Sequence, residues 1–182
     1  MRYLYSALFF VFLPVILLRL WWRGRVNAGY RLRWRERFAI LPAMRTGGIW
    51  LHAVSVGETL AAVPLVEALL KQYPDLPITV TCTTPTGSER VRAAFSDRVQ
   101  HIYAPYDLGF IVRRFLNTVQ PKLCLIMETE LWPNMVHQCA KSRVPLLLVN
   151  ARLSRRSARG YFRARCLSAA MLRQITHIAA QE

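Results

Sequence analysis

From residue 48 onward, short apolar runs alternate with amphipathic stretches. The apolar runs predict strands over 48–55, 77–84, 99–105, 122–129, 144–151 and 175–181. The stretches between them, 58–73, 87–95, 107–119, 132–142 and 154–174, carry apolar residues at helical spacing. Pro74 and Pro121 stop two of these helices, and Pro133 suits the first turn of another. The strands are nearly continuous in apolar character, as expected when both faces of a sheet are covered. Strict alternation of strand and helix predicts an α/β fold, a Rossmann-like parallel sheet with helices on both faces. The doubly wound order 3-2-1-4-5-6 would set the first and fourth strands side by side. Ligands bind beyond the carboxyl ends of such a pair.

The first 45 residues follow a different pattern. Residues 3–18 contain no charge, and Arg19, Arg23, Arg25, Arg31, Arg33, Arg35, Arg37 and Arg45 follow with one acid, Glu36. This reads as an apolar anchor helix and a basic juxtamembrane segment, followed by a domain over 46–182. No small-x-small site follows the apolar run, which favours an anchor over a cleaved leader. The excess of arginine after the run places the body of the protein on the cytoplasmic side. Such a stretch also adheres to anionic lipid, at about 1 kcal/mol per base.

Charge narrows the partner class. The 182 residues carry 25 basic and 10 acidic side chains, a net charge of +15, and 22 of the bases are Arg. Arg presents a planar fork of donors suited to phosphate and carboxylate. Nucleic acid is disfavoured, because the basic run at 152–173 has few aromatics for base stacking. Cys82, Cys124, Cys139 and Cys166 show no metal-binding spacing, and three of them read as buried apolar residues. The four histidines form no ligand pair, so no metal site is expected. There is no GxxxxGK[ST] and no GxGxxG.

Candidate chemistry gathers where the first and fourth strands end. The loop Ser55-Val56-Gly57-Glu58 follows the first, and Glu128-Thr129-Glu130-Leu131-Trp132-Pro133-Asn134 follows the fourth. Three of ten acids thus converge on one crevice of a basic chain. A carboxylate at a helix start can act as general base for a hydroxyl, and Glu58 also suits an ordinary helix start. Glu128 and Glu130 read equally as capping or Arg-pairing acids. Gly57 would let the backbone bend and a substrate come close. Thr86, Gly87 and Ser88 open a helix that can hold an anion or simply be capped. Arg152, Arg155 and Arg156 follow the fifth strand on the ligand side of the sheet, where phosphate binding and a solvated face are equally open.

At these residues the chain resembles the amino-terminal half of the Kdo (3-deoxy-manno-octulosonic acid) transferases of lipopolysaccharide synthesis. The blocks that carry the resemblance are WLHAVSVGETLAAVPLVEALL (50–70), LPITVTCTTPTGSERV (76–91), YAPYDL (103–108), LIMETELWPNM (125–135) and NARLSRRSARGY (150–161). The resemblance implies a GT-B glycosyltransferase at the cytoplasmic face of the inner membrane. It implies transfer of Kdo from CMP-Kdo to a lipid A precursor with inversion, using no cofactor or bound metal. Glu58 is then the general base, Glu128 the second acid and Glu130 its companion. Ser55 and Gly57 shape the loop. Arg152, Arg155 and Arg156, with Thr86, Gly87 and Ser88, meet acceptor phosphates or the Kdo carboxylate. The donor-binding domain of such enzymes is expected beyond these 182 residues. The reading that competes is a catalytically silent, membrane-bound lipid-binding module.

Overall fold

The computed structural model describes residues 1–153 and 155–181, apart from the side chains of Arg155 and Arg156. Six parallel strands form one sheet: β1 (Ile49–His52), β2 (Ile78–Cys82), β3 (Gln100–Tyr103), β4 (Leu123–Met127), β5 (Leu146–Ala151) and β6 (His177–Ala180). Their order is β3-β2-β1-β4-β5-β6, as the alternation predicts. Ile49 of the central strand pairs with Ile78 on one side and Leu123 on the other.

Period-two burial divides the core. Trp50, Cys124, Ile126 and Leu148 face one layer, and Leu51, Val80, Leu125 and Met127 face the other. Helices α3 (Val56–Gln72) and α4 (Pro85–Phe95) cover the second layer. Helices α5 (Gly109–Val119), α6 (Pro133–Lys141) and α8 (Arg165–Leu172) cover the first. Trp50 is fully buried and lies 4.5 Å from the ring of Phe115 on α5. Cys82, Cys124 and Cys139 are buried and Cys166 is exposed, in keeping with their reading as small apolar residues.

The helix expected over 154–174 is two helices, α7 (Arg155–Arg163) and α8, which meet at Ala164. The buried hydroxyl of Ser168 donates to the carbonyls of Tyr161 (2.9 Å) and Ala164 (3.1 Å). The Tyr161 carbonyl is one that a continuous helix would give to the amide four residues on, whereas the Ala164 carbonyl also keeps the Ser168 amide (2.9 Å). Asp107 lies before α5 instead of inside it and caps α6. Its carboxylate accepts from the amides of Asn134 (3.0 Å) and Met135 (2.7 Å), and from the Tyr5 hydroxyl.

Burial pushes the Asp107 carboxyl up to about 6, against the lowering effect of those amides. A carboxyl that holds its proton more tightly when folded loses stabilising effect as pH rises. The stability of the wild type relative to Asp107→Asn should therefore fall between about pH 4 and pH 6 and level off above. Chemical denaturation of both forms across that range measures it. A constant difference would mean that Asp107 is ionised throughout.

The segment read as a basic linker is folded onto the sheet edge. Helix α2 (Trp34–Arg37) lies against β3. Arg33 donates to the His101 carbonyl (2.7 Å), and Glu36 accepts from the Tyr103 amide (2.8 Å). Two side chains thus satisfy backbone groups that an edge strand would leave open. Arg33 also pairs with Glu36 (2.6 Å). Arg37 is buried, donates to the Thr83 carbonyl (2.9 Å), and stacks over Tyr103 at 4.2 Å. Arg33 and Arg37 are therefore parts of the fold, whereas Arg19, Arg23, Arg25, Arg31 and Arg35 remain exposed.

Helix α1 (Arg2–Arg23) runs through Pro14 and is apolar and long enough to cross a membrane. Among its residues none is fully buried. Phe9, Leu13, Ile16, Leu17 and Leu20 nevertheless pack against the core layer of α5 and α6.

Candidate active site

The crevice forms where β1 and β4 lie side by side and their following loops part. Ser55 is the N-cap of α3, and its hydroxyl accepts from the Glu58 amide (3.2 Å). Glu58 reaches back, and its Oε2 accepts from the Val54 amide (2.7 Å). This is a capping box shifted by one residue. It fixes one carboxylate oxygen of a side chain that is only 5% exposed. Among the described residues Oε1 accepts no hydrogen bond, and it is not sealed from solvent. The cap and the free oxygen coexist on one carboxylate.

Gly57 is exposed in the first turn of α3 with ordinary φ, so no bend there requires glycine. A Cβ would meet only the Ser55 hydroxyl at 3.8 Å. Gly57→Ala should leave thermal stability within about 0.5 kcal/mol or raise it slightly. If substrate approaches this turn closely, the same variant lowers turnover. A loss of stability would contradict the geometry.

Across the crevice, Glu128 directly follows β4 with φ of 54°, and its amide donates to the Val149 carbonyl (2.9 Å). A left-handed glutamate costs of order 1 kcal/mol, and such residues cluster at functional sites. The turn swings Glu130 back toward the crevice. Burial raises the Glu130 carboxyl above its usual range, and the negative charges of Glu58 and Glu128 add to the rise. The Trp132 Nε1–H donates to Glu130 Oε2 (3.1 Å), which opposes it. The structure thus brings Glu58 and Glu128 within electrostatic reach of Glu130. Among the described residues no three His, Cys, Asp or Glu side chains stand close enough to hold a metal ion.

Two supports were not legible in the sequence. His52, the last residue of β1, is fully buried. Its Nδ1 lies 3.0 Å from the Thr81 hydroxyl, and its ring meets Trp132 edge-on at 4.5 Å. Desolvation holds it down to about 3, so a neutral imidazole floors the crevice. Tyr161 donates its hydroxyl to the Thr129 carbonyl (2.7 Å) and anchors the turn between Glu128 and Glu130. Its place in a basic run gave no sign of that. The run of apolar positions in β1 likewise hid His52.

Thr86, Gly87 and Ser88 lie in the first turn of α4. Thr84 caps α4 by accepting from the Gly87 amide (3.1 Å). Thr86 is exposed, with its hydroxyl on Thr84 (3.3 Å). A Cβ on Gly87 would crowd Cys82 at 3.3 Å, so that glycine packs helix on strand. Ser88 is buried, and its hydroxyl lies 2.7 Å from His101 Nε2 and accepts from Arg33 (3.1 Å). It faces the fold and not a ligand. Arg152 is exposed on the rim of a mostly apolar cleft of about 410 Å³, which Thr129, Leu131 and Tyr161 also line. The side chains of Arg155 and Arg156 lie outside the described residues.

Residues 32–182 match the protein family described as 3-deoxy-D-manno-octulosonic-acid transferase (kdotransferase). Over its whole length the chain is 47% identical to 3-deoxy-D-manno-octulosonic acid transferase of Haemophilus influenzae, covering 43% of that protein. The corresponding protein of Bordetella pertussis is 42% identical over 80% of the chain and 36% of its own length. A probable mitochondrial one of Arabidopsis thaliana is 38% identical over 85% of the chain and 35% of its own length. The chain thus spans less than half the length of these relatives.

Proposed function

The chain belongs to the 3-deoxy-D-manno-octulosonic-acid transferase family, and from that premise we propose that it forms the acceptor-binding half of an enzyme of lipopolysaccharide synthesis. That enzyme transfers Kdo from CMP-Kdo to a lipid A precursor at the cytoplasmic face of the inner membrane. The observation that carries this reading is Oε1 of Glu58, which accepts no hydrogen bond among the described residues, at the β1/β4 crevice and within electrostatic reach of Glu130.

In this mechanism Oε1 takes the proton of the acceptor hydroxyl as that oxygen attacks the anomeric carbon of Kdo. The bond to CMP breaks on the opposite face, and CMP leaves with the electron pair, so the configuration inverts. The Val54 amide on Oε2 keeps the carboxylate in one orientation, which lowers the entropic cost of the encounter. Arg152, Arg155 and Arg156, which follow β5 in the sequence, would meet acceptor phosphate or the Kdo carboxylate. The reaction is a substitution at carbon and calls for no cofactor.

Glu128→Gln in a full-length enzyme carrying this sequence tests the crevice. The expected result is a fall in kcat of about tenfold or more with little change in acceptor KM. Unchanged turnover would remove Glu128 from the site.

A further inference from the structure

Helix α1 is docked along its whole length by one stripe. Its half-buried positions Arg2, Ser6, Phe9, Leu13, Ile16 and Leu20 recur at three- and four-residue steps. At one end Arg2 donates to Asn134 Oδ1 (3.1 Å), and the Ser6 hydroxyl lies 2.9 Å from Asn134 Nδ2. Beside them the Tyr5 hydroxyl bonds Asp107. In the middle, the Phe9 ring lies 6.1 Å from that of Tyr106. At the other end the Arg23 guanidinium covers the Tyr30 ring at 4.5 Å, and the Trp21 carbonyl accepts from Arg31 (3.1 Å).

Among the described residues the opposite stripe has no protein partner. Leu4, Leu8, Phe12, Val15, Leu18 and Trp22 are each more than half exposed. Exposed Arg19, Arg25 and Arg31 stand beside Trp21 and Trp22 at the same end, two of them stacked over the Trp21 ring.

This two-sidedness decides how the helix meets lipid. A spanning helix is surrounded by hydrocarbon for about 30 Å, and 22 residues of helix reach about 33 Å. A docked α1 that spanned would drag Asp107, Asn134 and Arg37 into the hydrocarbon, where charged and polar groups are strongly disfavoured. An undocked α1 would strip the side-chain partners from Asn134. It would also remove one wall of a crevice of about 430 Å³ that Tyr5, Phe9, Ile16 and Leu20 share with Arg37, Thr83 and Trp132.

We propose that α1 is a monotopic anchor. It lies in the plane of an anionic membrane surface, with its docked stripe on the protein and its exposed stripe at the boundary of headgroups and acyl chains. Arg19, Arg25 and Arg31 contact anionic headgroups, and Trp21 and Trp22 sit at the interface. The inference rests on the membrane-associated reading above and replaces a crossing with an in-plane contact. It keeps the crevice beneath α1 open between the bilayer and the acid cluster.

The test uses the full-length enzyme in a Gram-negative host. Cys166 is the one exposed cysteine among the described residues, so Cys166→Ser lowers the background, and the full-length parent without an added cysteine sets the baseline. Tyr3→Cys, outside the lipid-facing stripe, places a thiol at the exposed start of α1. A membrane-impermeant maleimide is applied to intact spheroplasts, to inverted vesicles and to detergent-solubilised membranes. The expected result is background labelling in spheroplasts and strong labelling once the cytoplasmic face is opened. Strong labelling in spheroplasts would show a crossing helix and overturn the in-plane geometry, leaving membrane association intact. Recovery of the enzyme in the soluble fraction would overturn both.

Discussion

Glu58→Gln in a full-length enzyme carrying this sequence should lower Kdo transfer by about 10²- to 10⁴-fold, the usual span for removal of a general base. The substitution isolates the chemistry because the glutamine carbonyl can still accept from the Val54 amide, as Oε2 does at 2.7 Å. The cap of α3 survives, and thermal unfolding should shift little. Glu58→Ala removes both functions and should additionally cost about 0.5–2 kcal/mol, as lost caps do. Comparing kcat and melting temperature across the two variants separates base from cap. Equal and small losses of turnover would mean that the carboxylate serves the helix alone.

Gly48→Ala should have the largest effect on stability, at least about 3 kcal/mol, because overpacking here meets backbone and not a yielding side chain. A Cβ at this position would lie 1.7 Å from the Pro77 carbonyl oxygen and 2.6 Å from its carbon. That carbonyl accepts from the Ile49 amide (2.9 Å), while the Gly48 carbonyl accepts from the Lys122 amide (2.8 Å). Residue 48 therefore sits wedged where β2, β1 and β4 begin. Forcing it apart disturbs the strand that delivers Ser55 and Glu58 to the crevice. Urea unfolding of the two forms measures it, and a loss under about 1 kcal/mol would show that the sheet start can slide.

Much of this fold can be read from pattern, and the reasons are physical. Parallel strands are covered on both faces, so Trp50 to His52 and Leu123 to Met127 stand out as apolar runs. Their alternation with helices prunes the strand order to one common choice. The convergence of Glu58 with Glu128 and Glu130 follows from that order alone. What pattern cannot carry is the direction of a side chain once a loop turns. Glu36, Arg33 and Arg37 looked like linker charges because nothing local marks a guanidinium that caps an edge strand 68 residues away. Ser88 looked available because an N-terminal helix serine commonly is, yet His101 and Arg33 claim it. The break at Ala164 has no Gly or Pro to announce it and depends on the buried Ser168.

In the proposed function these residues bind the lipid acceptor, with Glu58 at its hydroxyl. Equilibrium binding of a lipid A precursor and of CMP-Kdo to the 182-residue chain in mild detergent tests it most directly. The expected result is saturable binding of the lipid, weakened by salt and by Arg152→Ala and little changed by Glu58→Gln, with CMP-Kdo held far more weakly. Tight binding of CMP-Kdo with no binding of the lipid would contradict it.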